Sequence, residues 1–316
     1  MPSEPHYIME TLRYHIAITL LKALALLPLN VLYVISSIAY PIVYYVFKYR
    51  RSKSHRNLVN AFPEKDEKEI GRIERCFYRN LCDLFVESIK LLHVSDSTMQ
   101  SRVTVTGTEL MEKAAADSRP VFLFIGHIGN WEWVQEITKR IKAPTVHGEL
   151  YRPQHNRVFD RVMQTIRNTR YPTCLISMKQ AVRAIFRMRQ DYKSFLIGFI
   201  GDQRPSRKSL HHWMTFMNQD TPILVGGEEI GRHIDAKYLM LHVTRPRRGY
   251  YQMDILDMQL GPDSPEPSKE RFPYIEMYMH MLEENIREQP EIYLWTHNRW
   301  KYKRLPNEDG TWSIGA

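Results

Sequence analysis

Cysteine is scarce: the 316 residues hold three, Cys76, Cys82 and Cys174, and no two form a C-x-x-C pair. That excludes a disulfide scaffold and a cysteine zinc site, and fits a reducing compartment. No H-E-x-x-H run occurs, and His211-His212 lacks a third ligand at workable spacing, so no metal is expected. Glycine (14) and proline (18) are near average usage, and neither an internal repeat nor a low-complexity tract is present. Negative charge is in short supply. Thirty-five Asp and Glu stand against 44 Lys and Arg, a formal charge of +9. A basic surface favours acidic partners: a phospholipid leaflet, an acidic carrier protein, a phosphorylated substrate or nucleic acid. With 43% hydrophobic residues the chain is too apolar for disorder and long enough to bury a full core.

Charge disappears altogether from Ala23 to Phe47, a run of 25 residues between Lys22 and Lys48. As a helix this run is about 37 Å long, against a hydrocarbon core of ~30 Å. Pro28 and Pro41 would kink it, while Tyr33, Tyr40, Tyr44 and Tyr45 are placed like interfacial aromatics. Lys48, Arg50, Arg51, Lys53 and Arg56 follow, which by the positive-inside rule keeps the remainder in the cytoplasm. The run is too long for a signal peptide and no small-residue cleavage site follows it. A tilted span, a surface-lying hairpin and a buried pair of core helices all remain open. Residues 1–56 are read as a membrane anchor with a basic flank, and residues 57–316 as a cytoplasmic domain.

Within that domain, Ile70, Ile73, Phe77, Leu81, Leu84, Phe85 and Ile89 recur at helical spacing, making residues 57–94 an amphipathic connector. From residue 95 to 316, short β-rich runs alternate with helices. Strands are expected at Val103–Thr106, Val121–Ile125, Thr145–Val146, Thr173–Ile176 and Phe195–Ile200. Helices are expected from about Trp131, over Gln154–Arg170 and Met178–Gln190, from near Ile223, and over Glu270–Glu288. Tyr238–Val243 and Tyr251–Leu256 read as an antiparallel pair. The pattern predicts an α/β fold with a mixed, mainly parallel sheet flanked by helices.

In such a sheet, reactive groups lie beyond the carboxyl ends of strands. The sharpest candidate is the exit of the Val121–Ile125 strand, Gly126-His127-Ile128-Gly129-Asn130-Trp131-Glu132. Spacing alone decides nothing: chance supplies one or two H-x4-D/E pairs, and the sequence holds two, His127/Glu132 and His155/Asp160. The second falls on a helical pattern, where residues five apart diverge by ~140°. Around His127, Gly129-Asn130 can turn the chain before Glu132, folding its carboxylate onto the imidazole and aiming helix N–H groups at a developing oxyanion. The bland alternative is a histidine at a strand end with Glu132 complementing a helix dipole. Arg152, Asp202 and Arg204 fall at two further strand ends, and an arginine there suits a phosphate. Arg157/Arg161 and Arg183/Arg187 are basic i,i+4 pairs on helical patterns, an exposed face or a docking patch.

The blocks Gly126–Glu132, Tyr151-Arg152-Pro153, Gly201-Asp202-Gln203-Arg204, Phe216–Pro222 and Pro290–Lys301, in that order behind an apolar segment, resemble the late acyltransferases of lipid A biosynthesis, the lauroyl/myristoyl type. Asn57–Pro63 is similar to the stretch that follows that family's N-terminal hydrophobic helix. The resemblance spans roughly residues 15–304 and places the chain among glycerolipid-type acyltransferases with the H-x4-D/E signature. It implies transfer of a fatty acyl chain from acyl carrier protein, or a CoA thioester, to a hydroxyl of a phosphorylated lipid A precursor. No cofactor is implied beyond that thioester, and the location implied is the cytoplasmic face of the bacterial inner membrane. His127 would be the general base and Glu132 its orienting carboxylate, with Asn130, Arg152, Asp202 and Arg204 lining the substrate site. Gly201 and the run Gln203-Arg204-Pro205 depart from the usual pattern, which leaves the acceptor pocket open. Another bacterial lipid as acceptor is the sibling reading. A non-catalytic anchored protein that binds lipid or nucleic acid is the rival from another class, although no recognisable nucleic-acid motif is present.

Overall fold

A computed structural model describes residues 4–171, 173–268, 270–307 and 312–315. The chain opens with α1 (Glu4–Ala25), breaks at Pro28 and continues as α2 (Leu29–Pro41), which runs into a π-helical turn at Ile42–Val46. Next come α3 (Arg51–Ala61) and the long α4 (Glu67–Lys90), capped by Asp66, whose carboxylate accepts from Glu69 N–H. After α5 (Asp96–Arg102), β1 (Val103–Thr106), α6 (Thr108–Ala116) and β2 (Val121–Ile125) follow. A 3-10 segment, Trp133–Lys139, leads to β3 (His147–Tyr151), α7 (Arg157–Arg170), β4 (Cys174–Ser177), α8 (Ala181–Asp191) and β5 (Leu196–Ile200). The hairpin β6 (Trp213–Phe216) and β7 (Gln219–Pro222), then α9 (Gly226–His233), precede the paired strands β8 (Lys237–Arg247) and β9 (Tyr250–Asp257). α10 (Pro273–Glu288) and the hairpin β10 (Lys303–Pro306) and β11 (Trp312–Gly315) end the described chain.

The central sheet has the order β1-β9-β8-β2-β5-β3-β4, and its one antiparallel pairing is β8 with β9. This is the mixed, mainly parallel sheet expected. β2 reads as an unbroken apolar run because both of its faces are covered. Leu123 and Ile125 share a cavity with Val134 and Ile137, whereas Phe124 packs on Tyr278 of α10 and leaves no room for a Cβ at Gly227 of α9. The chain leaves β2 toward β3 and leaves β5 toward β8, so neighbouring strands connect in opposite directions. A crevice opens at their carboxyl ends, the topological switch point of the sheet.

Some local expectations need correction: the strand expected at Thr145–Val146 instead begins at His147. The helix expected from about Trp131 is instead the tighter 3-10 segment that starts at Trp133. The hairpin β6–β7 was not expected at all. Its two-residue turn places Met217 and Asn218 at φ 50° and 59°, the type I′ geometry that usually announces itself as Asn-Gly.

The N-terminal helices are part of the body. α2 buries Leu29, Leu32, Tyr33, Ser36 and Tyr40, a stripe at helical spacing, against α4, and exposes Val31, Val34, Ile35 and Ile38 on its other side. The contact is polar as well as apolar: Ser36 Oγ donates to Asp83 at 2.6 Å and Tyr33 Oη to Glu87 at 2.8 Å. α1 lies on α7, with the Arg161 guanidinium 3.9 Å from the Tyr14 ring centroid, and exposes Ile8, Leu12, Ile16 and Leu20. One core joins Ile18, Tyr44 and Leu58 to Phe122 and Phe124, so packing is continuous across residue 56. Among the described residues, Leu29–Val46 is the one helical stretch long and apolar enough to cross a membrane, and 28% of it is buried inside the protein.

Candidate active site

In the parallel pairing of β2 with β5, Ile125 stands opposite Ile200. Two residues beyond that matched pair lie His127 on one strand and Asp202 on the other. Register therefore delivers both to one spot: His127 Nδ1 donates to Asp202 Oδ1 at 2.7 Å, with both residues buried. A carboxylate only accepts, so the proton belongs on Nδ1 and the lone pair on Nε2. That lone pair receives the Gln203 side-chain amide at 3.0 Å.

The loop that carries His127 is held by sterics and by a short backbone pairing. A Cβ at Gly126 would overlap Leu282. Gly129 adopts φ +60°, and a Cβ there would come within 2.7 Å of Val243. Leu294 N–H donates to His127 O and Gly129 N–H to Ile292 O, each at 3.0 Å. The Trp131 ring closes one side, edge-on to the imidazole at 5.1 Å.

Beneath the pair lies a block of buried polar groups from the 290s. Burial alone would push the Asp202 carboxyl up; His127, by charge and hydrogen bond, and then His297 outweigh this and hold it below the ordinary carboxylate value. Burial, and then the Asp202 charge, push the Tyr293 hydroxyl well above its ordinary value. Burial pushes His297 down to about 4, so this second imidazole is neutral at pH 7. Arg299 is buried beside Tyr293, Asp202 and Tyr278 without a hydrogen-bond partner on Nε, Nη1 or Nη2, and its positive charge favours an ionised Asp202.

The expected fold-back of Glu132 onto His127 does not occur. Both carboxylate oxygens of Glu132, itself buried, are taken by the half-buried Arg167 of α7 in a bidentate pair with distances of 2.7 and 2.8 Å. The 3-10 segment turns Glu132 toward the α7 layer, whereas Asp202 arrives from the neighbouring strand. Asn130 is also committed internally: its Nδ2 donates to Glu87 at 2.7 Å and its Oδ1 accepts from Trp133 N–H at 3.1 Å. The Gly129 N–H is occupied by Ile292 O and so is not a donor for an oxyanion. Arg152 is exposed in the loop after β3, and Arg204 lies over the Tyr302 ring at 5.2 Å. Gln203, Tyr293 and Arg299 were quoted within their blocks but given no role. Arg167 carried no local signal.

Between β2, β5, β3 and the 3-10 segment lies an apolar cavity of about 50 Å³, lined by Leu123, Ile125, Trp131, Val134 and Leu196, with Glu149 at its wall. Burial raises the Glu149 carboxyl to about 6 against the opposing charge of Arg167, and Gln135 Nε2 donates to it at 2.8 Å. The folded chain thus holds this proton more tightly than the unfolded one. This carboxyl's contribution to stability is greatest below the ordinary Glu range and is lost as pH rises through about 6. Glu149→Gln is expected to remove that decline, a gain on the order of 1–2 kcal/mol at pH 8 over wild type. Urea titrations at pH 5 and pH 8 measure it.

A search of curated proteins finds no match to the chain. The family model described as bacterial lipid A biosynthesis acyltransferase matches residues 4–302. That match takes in the N-terminal helices, the His127 loop, the Asp202 strand end and the buried 290s segment together, and the chain therefore belongs to the bacterial lipid A biosynthesis acyltransferases.

Proposed function

We propose that this acyltransferase moves a fatty acyl chain from an acyl carrier protein or CoA thioester to a hydroxyl of a lipid A precursor, with His127 as general base. The observation that carries the reading is the His127–Asp202 pair at the switch point, whose outward nitrogen meets Gln203 rather than a serine or cysteine. Such a base activates an external hydroxyl. The acceptor oxygen replaces the Gln203 amide at Nε2, loses its proton there and attacks the thioester carbonyl. Asp202 fixes the tautomer and steadies the imidazolium, while the N–H groups of Asn130 and Trp131 are assigned to hold the oxyanion. Collapse breaks the C–S bond, and the imidazolium returns the proton to the departing thiolate. The apolar cavity below Trp131 marks the entrance for the acyl tail, which needs the 133–139 segment to yield.

The same reading sets the membrane contact. A perpendicular span through α2 would carry Asp83, Arg245 and Arg248, which pair beside it, toward hydrocarbon. Seating α1 and α2 by their outer faces in the cytoplasmic leaflet of the inner membrane keeps those charges in the protein. Val34→Asp with Ile38→Asp is expected to move the chain from the membrane pellet to the supernatant with its far-UV circular dichroism unchanged.

The decisive assay offers purified full chain a panel of acyl thioesters with a lipid A precursor and with other bacterial lipids. Mass spectrometry should show one added acyl chain on the precursor. Acylation of a different lipid alone would transfer the assignment to that lipid, and no acylation of any would remove it.

A further inference from the structure

α3 has two differently furnished sides. On one, Arg51 Nε bonds to Glu74 at 2.9 Å and His55 Nδ1 to the same carboxylate at 2.8 Å. On the other, Asn57 Nδ2 donates to the carbonyls of Trp295 (2.8 Å) and His297 (3.1 Å), and Arg50 Nη1 to that of Thr296 at 3.3 Å. These bonds fasten the helix to the segment that also holds the His127 loop. Lys53 lies one helical turn before Asn57 on α3, so it faces the same way, and Arg50 precedes the helix. Arg204 enters from the β5 exit, next to the Gln203 that touches His127. Among the described residues, Arg50, Lys53, Arg56 and Arg204 form no ion pair with any carboxylate. Asp202, the nearest acid in the loop, is committed to His127.

We propose that Arg50, Lys53, Arg56 and Arg204 form a phosphate-binding subsite at the rim of the His127 site. Four cations gathered without a counter-ion repel one another, and an anion of high charge density relieves that repulsion. The crowding is felt by Lys53, whose ammonium is pushed down by burial and then by Arg50, Arg56 and Arg204. Location narrows the anion further. α3 begins just after the apolar stretch that ends at Val46, and Val46 and Phe47 are exposed. The cluster thus sits where lipid headgroups meet water, with a reactive imidazole on its inner side. The ligand class is a phosphate ester, carried either by the membrane-borne acceptor or by the pantetheine arm of the donor. Its role in turnover rests on the acyl-transfer reading; its binding of phosphate does not.

The test uses full chain in neutral detergent and inorganic pyrophosphate as probe, followed by calorimetry. Wild type should bind saturably and more weakly as salt rises. Lys53→Glu with Arg56→Glu should weaken binding by about tenfold or more, while Arg183→Glu with Arg187→Glu on α8 should leave it unchanged. In turnover, the α3 variant should raise KM about tenfold for whichever substrate bears the phosphate, with kcat nearly preserved. A rise confined to a phosphorylated acceptor, absent for the same lipid stripped of phosphate, identifies the acceptor; a rise for the thioester identifies the donor. Equal pyrophosphate affinity in wild type and the α3 variant would overturn the subsite. Pyrophosphate binding by a wild-type chain that acylates nothing would uphold the subsite and discard the acyl-transfer reading.

Discussion

Asp202→Asn is expected to cut kcat by about 10²–10⁴ while the protein remains folded and bound to membranes. An asparagine at this position presents an amide in place of one oxygen. The imidazole then no longer has a fixed reason to keep its proton on Nδ1, the hydrogen bond now made to Asp202 at 2.7 Å. The base loses its orientation and the charge that accompanies proton uptake loses its partner. His127→Ala should go further and leave no transfer above background. Steady-state rates with a saturating thioester, alongside circular dichroism, separate a chemical defect from an unfolded chain. Near-wild-type turnover by the Asp202 variant would take the orienting role away from that residue.

Glu132→Gln should do the reverse, damaging stability far more than chemistry. The change strips the carboxylate from a bidentate pair and leaves the Arg167 guanidinium under-compensated. Removing one partner of a fully buried pair costs about 3–5 kcal/mol; the partial exposure of Arg167 and the nearby Glu149 carboxylate, ionised above about pH 6, hold the loss toward the lower figure. Replacing Arg167 as well, by a residue of similar volume without charge, should recover part of that loss, which a double-mutant cycle in urea measures. Turnover per folded molecule should stay within a few-fold of wild type. A Glu132 variant that is fully stable but inactive would return this carboxylate to the chemistry.

The contrast between these two acids shows what one sequence discloses. Periodicity located β2, β5, α7, α8 and α10, because buried faces repeat at two or at three to four residues whatever their partners. Strand-end reasoning placed His127 and Asp202 in the right region separately. Their pairing depends on the register of two strands 75 positions apart, which no local spacing encodes. The four-residue gap between His127 and Glu132 does not encode a contact between them, because its geometry depends on whether the intervening turn opens an α-helix or a 3-10 segment. The β6–β7 hairpin hid for a related reason, since Met217-Asn218 performs a turn that glycine commonly signals.

One buried carboxylate sets a practical limit on truncation. Glu87 of α4 accepts from Tyr33 of α2, from Asn130 of the His127 loop and from Tyr251 of β9, and its backbone carbonyl accepts from Trp133. α2 and the His127 loop thus share a single acid. Clipping the first fifty residues to obtain a water-soluble fragment would unhook Tyr33 and strip cover from that anion, loosening the loop it steadies. Detergent or nanodiscs around the intact chain, rather than truncation, are the route to a working preparation.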